Sequence, residues 1–211
     1  MKKLFFLLIV ITTVSVQAQK TQFGFTGGAT FANYKSNYDG TNQSGNSKTG
    51  FTIGAIANIA AGKNFIIQPA INWVQKGTKD EQTVNGGKIT TSITTNNIEM
   101  PVNFMYSHNG FFIGAGPSFT FAVSGKIKVE GDGTKGDEKL NFGNSDTDAM
   151  KAFDFGANAV TGYQFKGGVF IAANYNLGLS NLASGSDPNK GSLKSGYFGI
   201  RLGYLLGGKG K

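Results

Sequence analysis

The chain has 211 residues, with 32 glycines, one histidine, no cysteine and a formal net charge of +8. Charged residues make up 15%, against roughly 25% in a soluble domain, and a hydrophobic share of 39% is too high for a disordered chain. These figures exclude a disulfide framework, a thiolate metal site and a cysteine nucleophile, and one histidine cannot build a multi-histidine centre.

The first segment reads as an export signal. Lys2 and Lys3 precede the apolar run Leu4 to Ile11, and Val16-Gln17-Ala18 supplies a small residue at a cleavage position. Cleavage is expected after Ala18, giving a signal peptide over 1–18 and a barrel domain over 19–211. The apolar run is shorter than the roughly 20 residues of a membrane-spanning helix.

From Phe23 onward apolar residues recur at every second position. The first segment gives Phe23, Phe25, Ala29 and Phe31, and the second Phe51, Ile53, Ala55 and Ile59. Phe65, Ile67, Ile71 and Trp73 make a third, and Ile98, Met100, Val102, Phe104 and Tyr106 a fourth. The fifth carries Phe111, Ile113, Phe119 and Phe121, and the sixth Phe153, Phe155 and Tyr163. The seventh holds Val169, Ile171, Tyr175 and Leu177, and the last Phe198, Ile200, Leu202, Tyr204 and Leu206. Period-two alternation predicts strands. Long polar stretches (35–48, 76–97, 125–151, 183–195) alternate with tight turns (61–64, 107–110, 166–168). Long loops therefore fall at one end, and short turns with both termini at the other. That is the plan of an eight-stranded, antiparallel, up-and-down transmembrane β-barrel.

The chemistry of the two faces sets a membrane barrel apart from a soluble one. One face is Phe, Ile, Val and Leu; the other is Gly, Thr, Ser, Asn and Gln, with Glu99, Asp154 and Arg201 as the charges of the strand cores. Eight strands enclose just enough room for side chains. Small polar residues fit that lumen, so the apolar face is expected outward, in lipid. Aromatics near the strand ends fit girdles at the two membrane interfaces: Phe23, Phe65, Tyr106, Phe111 and Tyr204 on the short-turn side, and Trp73, Phe121 and Phe198 on the loop side.

Several stretches carry a resemblance to a known family. They are FGFTGGATFANY at 23–34, NNIEMPVNFMY at 96–106, FIGAGPSFTF at 112–121, FDFGANAVTGYQF at 153–165, NYNLGLSNL at 174–182 and YFGIRLGYLL at 197–206. With these marks the chain resembles the PorT-like outer-membrane β-barrel family. The resemblance implies an exported outer-membrane barrel. It says little about activity, although the namesake serves a protein-secretion machinery.

Glu99 and Arg201 both point into the expected lumen by parity, from roughly opposite strands, and Asp154 lies nearer the loops. A Glu99–Arg201 pair would act as a plug that locks the barrel, or as a gate. His108 falls in a turn beside Ser107 and Asn109, with no acid to orient it as a catalytic base. Gly114-Ala115-Gly116 lies inside a strand, so it lacks the strand-to-helix turn of a nucleotide-binding motif. The acids of the third loop (Glu130, Asp132, Asp137, Glu138, Asp146 and Asp148) lack calcium-site spacing and stand among lysines, which predicts a solvated, mobile loop. In the second loop, Asn85-Gly86 between β-formers predicts a hairpin that carries the strands about 25 Å further.

No catalytic residues, cofactor or metal are expected, and the dispersed positive charge argues against nucleic acid. The expected partners are outer-membrane lipid or lipopolysaccharide, with Lys76, Lys126 and Lys194 near the outer rim, and a protein partner at the long loops. The function expected is structural or surface-interacting; the alternatives are a secretion-apparatus component and a narrow gated pore.

Overall fold

The structure, a computed structural model, describes residues 21–38, 41–84, 87–131, 134–185 and 191–207. The expected signal peptide and the Asn85-Gly86 turn lie outside these residues. Ten strands follow in chain order: β1 (Thr21–Tyr38), β2 (Thr41–Ser44), β3 (Asn46–Ala60), β4 (Phe65–Val84), β5 (Gly87–His108), β6 (Phe111–Gly131), β7 (Thr134–Lys139), β8 (Phe153–Gln164), β9 (Val169–Gly178) and β10 (Ser192–Leu205). Eight of them form a ring in the order β1-β3-β4-β5-β6-β8-β9-β10, and β10 returns to β1. The closing pair is antiparallel and runs from Gly24↔Leu205 to Asn37↔Ser192. The short β2 and β7 are additions on β1 and β6 at the long-loop end.

The alternation has a physical cause. A ring leaves no unpaired edge, so each backbone amide finds a partner without water. Side chains then divide between two environments. The outward face is apolar and uncovered: Phe25, Ile53, Phe104 and Leu202 are each about 60% exposed, while Glu99 and Asn72 are at 0% inside. An apolar surface of this extent marks a lipid or partner contact. Phe23, Phe65, Tyr106, Phe111 and Tyr204 are exposed at the turn end. Toward the loops, Phe121 and Phe198 are exposed and Trp73 is half-buried. Phe65 meets Tyr106 edge-on at 5.6 Å, and Phe31 stacks on Phe198 at 6.5 Å.

One expectation is extended and two need correction. First, β4 and β5 run on past the ring as the hairpin expectation has it, and β6 and β7 continue beside them. β4 pairs with β5 from Phe65↔Tyr106 to Val84↔Gly87, and β6 accompanies β5 as far as Thr90↔Glu130. With β7 on the free side of β6, four strands stand beyond the ring as one extended sheet. Thr and Ile between the charges keep β-propensity high there. Second, the lumen is not wholly small and polar. At the turn end it holds Ile56, Met105, Phe112, Phe170 and Leu205, all buried, with Phe112 and Phe170 edge-on at 6.3 Å. Glycines make the space: a Cβ on Gly162 or Gly203 would overlap the ring of Phe112 or Phe170. Third, the 125–151 loop is not a free, solvated segment. Leu140 and Met150 are buried with Tyr34 and Leu182, and Ala149 N–H donates to Asn141 O at 2.9 Å. Apolar side chains spaced through a polar stretch fold it over the mouth of the ring.

Ring closure depends on Gly28. It faces Arg201 across the β1–β10 seam. A Cβ there would overlap the Ile200 carbonyl oxygen and sit 2.8 Å from Arg201 Cα. Gly27 faces outward, and its Cβ would meet only Thr52 O at 3.6 Å. Gly28→Ala is expected to destabilise the barrel by about 1–3 kcal/mol, and Gly27→Ala to be neutral. Urea unfolding of lipid-reconstituted protein checks both; equal midpoints for the two variants would contradict the seam as the tight point.

Candidate functional site in the barrel lumen

Inside the ring the polar side chains converge on Glu99 of β5, which is fully buried. Lys76 of β4 reaches it first, with Nζ 3.3 Å from Oε2. The Tyr197 hydroxyl of β10 donates to Oε1 at 2.5 Å and accepts from Arg201 Nη2 at 2.9 Å. Arg201 Nη2 itself stands 4.0 Å from Oε1. The Tyr197 ring also receives the Lys76 ammonium, 5.1 Å from its centroid. Tyr197 thus touches all three charges: its oxygen bridges carboxylate and guanidinium, and its face takes the second cation.

The structure brings Glu99 and Arg201 together through Tyr197, and places Asp154 apart. Asp154 accepts from Ser195 Oγ at 2.7 Å, higher in the lumen and outside the Glu99 cluster. Lys76 is corrected: it is 3% exposed and faces Glu99, so it does not meet lipid at the outer rim. Lys126 is exposed on the extended sheet, and Lys194 is exposed on the outward face of β10. Lys76 and Tyr197 were missed at the sequence level although parity reaches both. Lys76 continues the inward series of Asn72 and Val74, and Tyr197 lies four residues before Arg201.

Toward the turn end from Glu99, amides form a directional chain. Asn174 donates to Asn158 at 3.2 Å, Asn158 to Asn103 at 2.8 Å, Asn103 to Gln68 at 3.5 Å and Gln68 to Asn58 at 2.8 Å. Each buried amide thereby satisfies the next. Toward the loops, Tyr34 shares a hydrogen bond with Thr95 at 2.7 Å, beneath the Leu140–Met150 cap. Little space is left: a cavity of about 40 Å³ lies among the amides and the apolar plug, and one of about 10 Å³ lies under the cap. The smaller is about one water in size. This arrangement sets two cations and a tyrosine on one carboxylate and fills the middle of the lumen.

The chain matches the outer membrane protein β-barrel domain over residues 17–184. It belongs to that family. The match stops short of β10, the strand that closes the ring. In three dimensions the barrel is similar to Ail, the attachment invasion locus protein of Yersinia pestis, solved alone and with the heparin analogue sucrose octasulfate. Identity is 13%, 89% of this chain and 99% of Ail are covered, and the TM-scores are 0.52 and 0.51. Neisserial surface protein A aligns with 86% of this chain and 96% of its own, at 13% identity and a TM-score of 0.43. Likeness at such identity is likeness of fold. No curated protein matches this outer-membrane barrel in sequence.

The buried cluster makes a sharp energetic prediction. Glu99→Gln leaves Lys76 and Arg201 without their anion, and breaking one side of a buried pair costs about 3–5 kcal/mol. The double variant Lys76→Met with Glu99→Gln removes one cation with the anion and is expected to recover much of that loss. A thermodynamic cycle on lipid-reconstituted protein measures the coupling; additive losses would show that Lys76 and Glu99 do not act as a pair.

Proposed function

We propose that this outer-membrane barrel is a closed membrane anchor for a surface-interaction platform. One observation carries the reading: a filled lumen lies beneath a four-stranded sheet that extends beyond the ring. A pore would need space where Lys76, Glu99, Tyr197 and Arg201 stand. In this reading Glu99, Arg201 and Asp154 are structural, and the exposed aromatics form girdles at the two membrane interfaces. Residues 1–18 direct export and are removed. The sequence resembles PorT-like barrels, whose namesake serves protein secretion, and the platform suits a protein partner of that kind.

The charge on the platform points the same way. Residues 78–92 and 124–139 carry six lysines and six acids. Near-neutrality does not favour capture of a polyanion such as the sulfated sugar bound by Ail; shape and strand edges are left to select the partner. β4 beyond Lys79 has no partner on its β3 side among the described residues, since that pairing ends at Asn46↔Lys79. Shortening the hairpin by joining Thr78 to Ile93 through Asn-Gly is expected to leave a folded barrel and abolish stoichiometric co-purification of a protein partner from the outer membrane. A variant that keeps every partner of the wild type would overturn the platform reading. Discrete single-channel steps from the wild type in planar bilayers would replace it with the pore.

The platform also holds an ion triad. Glu81 lies 2.5 Å from Lys79 Nζ and 2.6 Å from Lys88 Nζ. Hydrogen bonds from these two ammonium groups pull its carboxyl down to about 2. A depressed carboxylate value means that the triad's contribution is fully present above the ordinary value of 4.5 and is lost as pH falls through about 2. Carboxyl-carbon NMR of the reconstituted protein should show Glu81 titrating near that value, and Lys88→Gln should move it upward. A midpoint above 4 in the wild type would show that the triad does not form.

A further inference from the structure

On the outward face, at the loop end of the closing seam, two lysines stand opposite each other. Lys35 of β1 and Lys194 of β10 are register partners, and both are exposed. Like charges directly opposed across paired strands are destabilising. Among the described residues no carboxylate forms an ion pair with either. The space between them is a groove of about 300 Å³, larger than either lumen cavity, and no acidic residue lines it.

The floor of the groove is Gly196, the register partner of Asn33. A Cβ on Gly196 would meet nothing closer than 3.7 Å, with the Tyr175 hydroxyl at 3.8 Å and Asn33 Oδ1 at 3.9 Å. Hydrogen-bonding groups therefore surround an open cradle, with Ser192 on its loop side. Directly on the turn side lies the apolar wall: Phe31 stacks on Phe198, and Tyr175 is the register partner of Phe198 on β9. The lysines lie four residues beyond the Phe31–Phe198 pair, about 13 Å along the strands. Cations and hydroxyls thus sit just past the end of a lipid-facing aromatic band, at headgroup depth.

We infer that Lys35, Lys194 and the Gly196 cradle form a seat for the phosphate group of an outer-leaflet lipid. The two ammonium groups take the phosphate oxygens, and the anion relieves the repulsion between them. Tyr175 and Asn33 fix its position, and the acyl chains run down over Phe31, Phe198 and Leu177. The lipid would then lie along the β1–β10 seam. This site is separate from the hairpin platform, and its loss would leave partner capture intact.

The test is native mass spectrometry of the detergent-solubilised mature protein, titrated with diphosphoryl lipid A, with its dephosphorylated form and with inorganic phosphate. Wild type is expected to retain one lipid A, and Lys35→Gln with Lys194→Gln to bind it at least tenfold more weakly. The dephosphorylated form should bind weakly and equally to both. Gly196→Val keeps both charges and fills the cradle, so it should show the same loss; Lys35→Arg with Lys194→Arg should keep binding. Wild-type affinity in the double Gln variant would overturn the site, and wild-type affinity in Gly196→Val would overturn the cradle. Full displacement of lipid A by inorganic phosphate would assign the seat to a free anion instead. Unheated gel mobility confirms folding, and should the Gln variant not fold, Gly196→Val decides.

Discussion

A backbone amide in hydrocarbon has no water to bond to, and that constraint governs the whole molecule. It rules out an open edge, so β10 must return to β1. It also explains why the seam is built from small residues. Gly28 opposite Arg201 and Gly24 opposite Leu205 let the two strands approach while large side chains still turn inward. Once the ring closes, outside and inside become opposite solvents. The outside must be apolar without cover, and the inside must satisfy every polar group it contains.

The lumen answers most of that second demand in layers, while the Asn72 amide and Asn174 Oδ1 stay buried without a hydrogen-bond partner. Aromatic and aliphatic side chains close the turn end, where Phe112 and Phe170 occupy space given up by Gly162 and Gly203. Above them the amides from Asn174 to Asn58 pass hydrogen bonds in one direction around the wall. The charged layer follows, in which two cations share one carboxylate and a tyrosine. An ion pair at this depth contributes little net stability against an apolar filling, yet losing one member is costly. Its value lies in specification: only one register of β4, β5 and β10 brings Lys76, Glu99 and Tyr197 together.

Much of this was legible in the sequence, because period two separates the solvents at every step from Phe23 to Leu206. The Asn109-Gly110 turn was equally plain, and both residues take positive φ (52° and 85°), as a tight hairpin demands. Parity gave Glu99, Asp154 and Arg201 their inward direction. It failed where composition overrode it. Lys76 and Tyr197 were passed over because one stood at an expected loop boundary and the other among outward aromatics. Phe112 and Phe170 sit beside Phe111 and Ile171, and a doubled apolar run hides which member turns in. The cap was illegible for another reason. Leu140, Met150 and Leu182 are isolated apolar residues in polar stretches, and only tertiary contact shows that they converge.

Lys76 and Glu99 also differ from their other partners in where the chain supplies them. Both belong to one hairpin, β4–β5, whereas Tyr197 and Arg201 arrive with the last strand. The carboxylate and the ammonium therefore meet through the pairing of strands that are neighbours in the chain. Within that hairpin one ammonium and the carboxylate neutralise each other across two neighbouring strands. What remains for the final strand is a guanidinium that arrives with its own tyrosine, hydrogen-bonded four residues away on the same strand. The charged layer is thus made of two local pieces of chain, and the closure of the ring is what joins them.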